Sequence, residues 1–471
     1  MVAAPDRRRG AHVTSSLQRF ALPAGPALAA AAYLVLHGQG AGHAMAVTVA
    51  LTSWCALWWI LEPVKGPVTA LLPLAVLPLL GVLDAKQVAQ SYGHELILLL
   101  GGGFMLSRAL ERSGAHRRLA LTMVRAFGGG SGRSLLWGFI FATGFISMWI
   151  SNTATTLLML PVALAILETY ADRRLHAPLI LSIAYAASVG GLGTPIGSPP
   201  NLVFMQVYAE TTGQAYGFLD WMTIGVPVVL LFLPLMALWL GRDLAGAPAA
   251  QLPESGAWTR AEKRVMAVFA LTAAAWIFRG EPFGGWSALL GLPGANDASV
   301  ALIAVVALCV IPDGRGGRLL DWETAERVPW GALVLFGGGI ALAAAFQSSG
   351  LSSAVAQGLS GLNTLPLPLL LLGIVGGVVL LSEIASNTAT AVLLMPILAA
   401  TAMAVDVDPA LFMFPAVLAA SVGFMLPVAT APNAIAYGSG EVDAQRMLRE
   451  GAVLDLVGVV VLCVVCYLAF V

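Results

Sequence analysis

The chain has 471 residues, 58% of them hydrophobic and only 10% charged, with a formal net charge of −1 and a mean hydropathy of +0.86. Soluble globular proteins carry about 25% charged residues, so this composition excludes water as the solvent for most of the surface. The basic loops carry acidic residues and no interleaved aromatics, which excludes a nucleic-acid partner.

The chain opens on a polar stretch, residues 1–20, with Arg7, Arg8, Arg9 and Arg19. We expect a disordered cytoplasmic tail there. No convincing cleavage site follows it, so a cleaved signal peptide is not expected. Residues 21–39, rich in Ala, read as one extra span. Apolar runs then recur at 45–61, 67–83, 96–110, 221–240, 265–278, 299–311 and 452–471. Several reach the ~20 residues that cross a bilayer, and the shorter ones extend through flanking Gly and Ala. With the N-terminus cytoplasmic and the spans alternating, 22 of the 24 Lys and Arg residues fall inside, leaving Lys86 and Arg279 outside. Basic residues concentrate in cytoplasmic loops, so the expectation is a multi-pass inner (plasma) membrane protein with about 11 spans and a cytoplasmic N-terminus.

Three motifs occur twice in the same order, at an offset of about 232–236 residues. Leu99-Leu-Gly-Gly-Gly103 matches Leu335-Phe-Gly-Gly-Gly339. Ser151-Asn-Thr-Ala-Thr155 matches Ser386-Asn-Thr-Ala-Thr390, each followed by a proline, Pro161 and Pro396. Pro195-Ile-Gly-Ser-Pro-Pro-Asn201 matches Pro427-Val-Ala-Thr-Ala-Pro-Asn433. The chain is therefore a repeat, with a first copy over 40–241, a linker over 242–264 and a second copy over 265–471. The first Ser-Asn-Thr stretch is flanked by Arg133 and by Arg173-Arg174, so it enters and leaves on the cytoplasmic face. The second is flanked by uncharged 350–366 and by Asp406 and Asp408, which read as external. The expected fold is all-α and polytopic: two inverted-topology repeats, each with a re-entrant helical hairpin and a broken transmembrane helix.

At such a tip the backbone leaves the helix inside the bilayer, which is tolerated only in protein or along a water-filled cavity. Ser, Asn and Thr cap the returning helix and keep polar groups for a ligand. The helix N-terminus turns a positive partial charge toward an anion. The Pro-Asn breaks at 197–201 and 429–433 expose carbonyl oxygens suited to Na⁺. The Gly triplets read as close helix packing. Glu383, whose mate is Met148, is an intramembrane acid: either a functional group or a contact within the second hairpin. Cys55, Cys309, Cys463 and Cys466 lie in apolar runs and read as packing. All six histidines lie in loops or at span ends, and no His/Cys/acid cluster has metal or nucleophile spacing, so an enzyme is not expected.

With these motifs the sequence resembles the divalent-anion/sodium symporter family of dicarboxylate, citrate and sulfate transporters, over about residues 40–471. The resemblance implies a homodimer in the lipid bilayer and an elevator-type mechanism. It implies a small dianionic substrate held by Ser151, Asn152, Thr153, Ser198, Ser386, Asn387, Thr388 and Thr430. It further implies two or more coupling Na⁺ ions, one held by Ser147, Ser151, Asn152 and Gly197, another by Ser382, Ala385, Asn387 and Ala429. The expected function is Na⁺-driven uptake of a C4 dicarboxylate, succinate, malate or fumarate. The alternatives are a sodium-independent dicarboxylate exchanger and a sulfate or citrate transporter of the same fold.

Overall fold

The computed structural model describes residues 7–127, 130–249, 256–280, 285–358 and 365–471. Its elements are helices, beginning with α1 (Arg7–Gly38). The first copy runs through α2 (His43–Leu61), α3 (Gly66–Thr69), α4 (Leu71–Leu79), α5 (Ala85–Tyr92), α6 (Glu95–Ser113) and α7 (Ala115–Phe127). It continues with α8 (Gly132–Ser147), α9 (Asn152–Leu167), α10 (His176–Gly190), α11 (Pro199–Thr212) and α12 (Phe218–Leu240). The second copy runs through α13 (Arg260–Ile277), α14 (Trp286–Leu289), α15 (Asp297–Val310), α16 (Trp322–Ala325), α17 (Trp330–Ser348) and α18 (Leu351–Gly358). It ends with α19 (Leu367–Ser382), α20 (Asn387–Ala404), α21 (Pro409–Ala419), α22 (Ala431–Gly438) and α23 (Ala444–Phe470). From α6 onward the order repeats helix for helix: α6 to α12 correspond to α17 to α23.

Two boundaries differ from expectation. The tail expected to be disordered is helical from Arg7, continuous with the span that follows; residues 1–6 lie outside the described residues. The second copy starts at Arg260, five residues before the expected boundary. Thr259 and Glu262 form a capping box there, the Thr259 hydroxyl accepting from the Glu262 N–H at 3.2 Å, and so fix the helix start. Residues 250–255 of the expected linker, and 359–364 of the stretch before the second Ser-Asn-Thr, also lie outside the described residues.

Among the described residues, six helical segments are long and apolar enough to cross a membrane: Gln18–Gly38, His43–Leu61, Phe218–Leu240, Trp330–Ser348, Asn387–Ala404 and Ala444–Phe470. Their apolar side chains point outward as well as inward. On α23, Leu456, Val460, Val464 and Leu468 form an exposed stripe at a spacing of four, while Leu454, Leu462 and Cys466 are buried. In water such a stripe would be a liability; in a bilayer it is the lipid-facing side. The Gly triplets sit where helices touch. A methyl on Gly102 would come within 2.8 Å of the Ala301 side chain on α15, and one on Gly338 within 2.8 Å of Ala70.

Polar contacts between distant segments sort into two sets. Arg112 pairs with Asp321, Arg118 with Glu262 at 2.9 Å, His176 with Glu441 at 2.8 Å and Arg242 with Glu450 at 2.8 Å. These segments carry the basic loops. In the other set, Asn296 donates to Glu95 at 2.8 Å, Gln347 to Thr211 at 3.3 Å and Tyr208 to Asp408 at 3.5 Å. Among the described residues no ion pair joins one set to the other.

Candidate functional site

Both Ser-Asn-Thr motifs stand where one helix ends and an adjacent one begins. α8 ends at Ser147 and α9 starts at Asn152; α19 ends at Ser382 and α20 starts at Asn387. Ser151 caps α9, its hydroxyl accepting from the Ala154 N–H at 3.3 Å. Ser386 occupies the same position on α20 with no side-chain cap bond, so the capping role expected of both holds for the first alone.

Around the first tip the chain converges on itself. The Ser147 hydroxyl donates to the Ala187 carbonyl at 2.7 Å. The Asn152 amide, oriented so that donors meet acceptors, donates to the Ala187 carbonyl at 3.0 Å, the Ser147 hydroxyl at 2.8 Å and the Gly197 carbonyl at 3.3 Å. Such proximity requires glycine: a methyl on Gly191 would meet the Asn152 side-chain amide at 2.5 Å, and one on Gly197 would meet the Gly191 carbonyl at 2.6 Å. Ser147, Asn152 and Gly197, three of the four residues expected to hold the first Na⁺, thus meet at one point, where the Asn152 amide nitrogen bridges the oxygens of the other two. The fourth, Ser151, has its hydroxyl engaged in the helix cap. The oxygens present fit Na⁺, a hydroxyl and unwound carbonyls of the kind that broken helices offer, and a half-turn of the Asn152 amide would add its oxygen to them. Ala187 was not expected here, because a carbonyl leaves no mark on residue type.

The second tip follows the same plan with different side chains. A methyl on Gly423 would lie 3.2 Å from the Ser382 hydroxyl and 3.5 Å from the Ala429 methyl, so these two expected ligand residues flank Gly423. Ser382 donates to the Val379 carbonyl at 2.8 Å. Ala385 is buried, and Asn387 keeps a buried Oδ1 without a hydrogen-bond partner. That orphaned acceptor also fits a cation, since a buried polar atom left unpaired is costly. Glu383 reaches out of its own helix pair. Its carboxylate accepts instead from the N–H groups of Met425 and Leu426 at 3.0 and 2.9 Å, holding the unwound segment after α21.

The Pro-Asn breaks are pinned identically. Asn201 Nδ2 donates to the Gly191 and Thr194 carbonyls, each at 2.8 Å; Asn433 Nδ2 donates to the Gly423 and Leu426 carbonyls at 2.9 and 3.0 Å. Each asparagine reaches back ten and seven residues, so each unwound loop has the same span. Of the expected substrate residues, Ser198 is buried with its hydroxyl 3.4 Å from that of Ser421, which brings the two halves together. Thr430 accepts from the Asn433 N–H at 3.1 Å. Thr153 is exposed, while Ser386 and Thr388 are half-buried.

A cavity of about 490 Å³ runs along α9 from Ala154, beside the first tip, to Ala165, and Arg108, His116 and Arg117 line it. Arg108 Nη1 is paired with Glu111 at 2.7 Å. Sequence alone placed these basic groups at span ends, far from the motif. The packing of α6 and α7 beside α9 brings them into one cavity with it.

The citrate transporter family (CitMHS) matches residues 56–415. The sodium-dependent dicarboxylate transporters SdcS of Staphylococcus aureus strains bovine RF122 and MSSA476 are each 37% identical over 478 residues, covering 96% of this chain and 91% of theirs. Among solved structures, the YdaH transporter of Alcanivorax borkumensis superposes with a TM-score of 0.59 at 18% identity, over 90% of this chain and 98% of that one. MtrF of Neisseria gonorrhoeae gives 0.59 at 14% identity, over 90% and 95%. At these identities the two structures speak for the fold alone.

Proposed function

This chain belongs to the citrate transporter family, among the divalent-anion/sodium symporters, and from that premise we propose that it takes up a C4 dicarboxylate such as succinate, malate or fumarate together with Na⁺. It is a transporter, not an enzyme. The substrate class follows the name of its Staphylococcus relatives. The observation that carries the reading is the oxygen-rich tip at 147–152 with 197, matched in the second copy by the buried Ser382 and the unpartnered Asn387 Oδ1, with no basic residue among these contacts. A charge near the bilayer midplane costs ~2.5–3.5 kcal/mol on insertion scales, and a helix N-terminus offsets only about half a charge. Cations travelling with the anion supply the rest, one at each tip, while the tip hydroxyls and amides orient the substrate.

In this reading the two helix pairs α8–α9 and α19–α20 are re-entrant hairpins of an inverted repeat. Support comes from their ends. The Gly132 N–H donates to the Ala247 carbonyl at 3.2 Å, and the Tyr170 hydroxyl to the Pro248 carbonyl at 2.7 Å. Both ends of the first pair thus meet one short segment after α12. α20 by itself is long enough to cross a membrane; the partners of Asp408 and Gln347, one turn apart on α11, favour its return instead. The hairpins would move with α10–α11 and α21–α22 as an elevator against a scaffold that pairs two protomers. The N-terminus would be cytoplasmic, and the cavity along α9 would open to the cytoplasm.

The basic groups in that cavity favour a second reading, sodium-independent exchange, in which the protein itself meets the anion's charge. One experiment separates the two. Radiolabelled succinate uptake and counterflow are measured in proteoliposomes at fixed membrane potential, with external Na⁺ replaced by choline. Loss of both in choline supports symport; undiminished exchange in choline overturns it.

A further inference from the structure

On the side away from the basic loops, a cavity of about 430 Å³ opens between α5, α11 and α17. Gln87, Gln90, Ser91, Gln206, Glu210 and Gln347 line it. Gln206 is only 2% exposed, and its amide nitrogen donates to Glu210 Oε1 at 2.6 Å. Gln206 Oε1 and Glu210 Oε2 are then both buried with no hydrogen-bond partner. Two orphaned acceptors, one of them on a carboxylate, stand one helical turn apart on a cavity wall. No Lys or Arg lines this cavity. Burial holds the His94 imidazole below its ordinary pKa, against the opposing pull of Glu95, so His94 adds no positive charge at neutral pH.

We infer that this cavity is an outer binding site for a hydrated monovalent cation, held by the Glu210 carboxylate and the Gln206 amide oxygen. One carboxylate matches one positive charge, whereas divalent ions recruit more. The cavity has room for ~14 waters at ~30 Å³ each, so the ion keeps much of its hydration. Gln206 and Glu210 stand ~12 and ~18 Å beyond Ser198 along α11 at 1.5 Å per residue, so the ion waits on the route to the first tip. The choice of Na⁺ rests on the sodium-coupled reading; the cation site does not.

The test uses Glu210→Gln, whose amide oxygen can still accept the Gln206 bond and so keeps the local fold. In proteoliposomes of known orientation, the half-saturating Na⁺ concentration should rise several-fold from the outer side and stay unchanged from the inner side. A purely structural defect would shift both. A second readout needs no transport. Gln90→Cys, in a chain lacking the native cysteines, is labelled from outside with an impermeant maleimide. Na⁺ should slow labelling relative to choline; the effect should vanish with Glu210→Gln and persist with Asn387→Ala. Labelling indifferent to Na⁺, or an unchanged outer half-saturation in Glu210→Gln, overturns the inference. Na⁺-independent uptake with Na⁺-slowed labelling would instead sink the coupling reading and leave this site standing.

Discussion

Two kinds of asparagine serve this protein. Asn201 and Asn433 hold backbone: each ties two carbonyls of an unwound loop. Asn152 and Asn387 stand at the two tips: the first reaches Ala187, Ser147 and Gly197, and the second keeps a buried Oδ1 without a partner, so either amide can take a ligand. Asn152→Ala and Asn387→Ala should therefore each abolish transport while expression and thermal stability stay near wild type, since a hydrogen bond within the bilayer is worth only ~0.6–2 kcal/mol. Transport at the wild-type rate in both variants would move the site elsewhere. The motif residues were legible because their polarity is out of place in apolar surroundings. The Ala187 carbonyl was not, and neither was the grip of Glu383 on Met425 and Leu426. Both belong to backbone brought close by packing, which no residue type announces.

At the scale of the element, the contact between α8 and α10 is the tightest that supports the first tip. A methyl on Gly190 would lie 2.2 Å from the Gly144 carbonyl oxygen, and backbone cannot yield as a flexible side chain can. Gly190→Ala should therefore cost more than the 1–3 kcal/mol typical of overpacking, seen as a lowered melting temperature and as lost transport. The re-entrant reading is tested on the same helices. Single cysteines near Arg133 and Arg174, in a background without the native four, should both be labelled from the cytoplasmic side only. Labelling from opposite sides would replace the hairpin with a crossing. The repeated order of helices was legible from three motifs in register. The short helices α5 and α16 were not, because four to eight residues broken by polar ones make no apolar run; they leave a trace only in their caps, Asp84 with Gln87 and Asp321 with Thr324.

Over the whole molecule, the charge distribution carried most of the information. The loops placed together by counting Lys and Arg are the loops that the ion pairs join, Arg118 to Glu262 and Arg242 to Glu450 among them. The acidic partners were invisible to that count, because topology follows Lys and Arg while Asp and Glu contribute little. The whole-molecule prediction is electrical. A dianion entering with two Na⁺ moves no net charge, so inward current during succinate uptake would reveal a further cation. Electroneutral uptake would limit coupling to two ions, as proposed above.

Ser198 and Ser421 face each other across 223 residues of sequence, and that separation is also an interval of time. At ~5–20 residues per second of synthesis, the first copy waits roughly 10–45 s in the membrane before its counterpart exists. It must keep its shape unaided through that interval, with contacts such as Gly144 against Gly190 already made. A half that endures alone can also be made alone. Cells producing residues 1–249 and 256–471 as two separate polypeptides should regain succinate uptake, while either piece by itself should give none. Failure of the pair, with both pieces present in the membrane, would mean that the copies must be born on one chain to find each other.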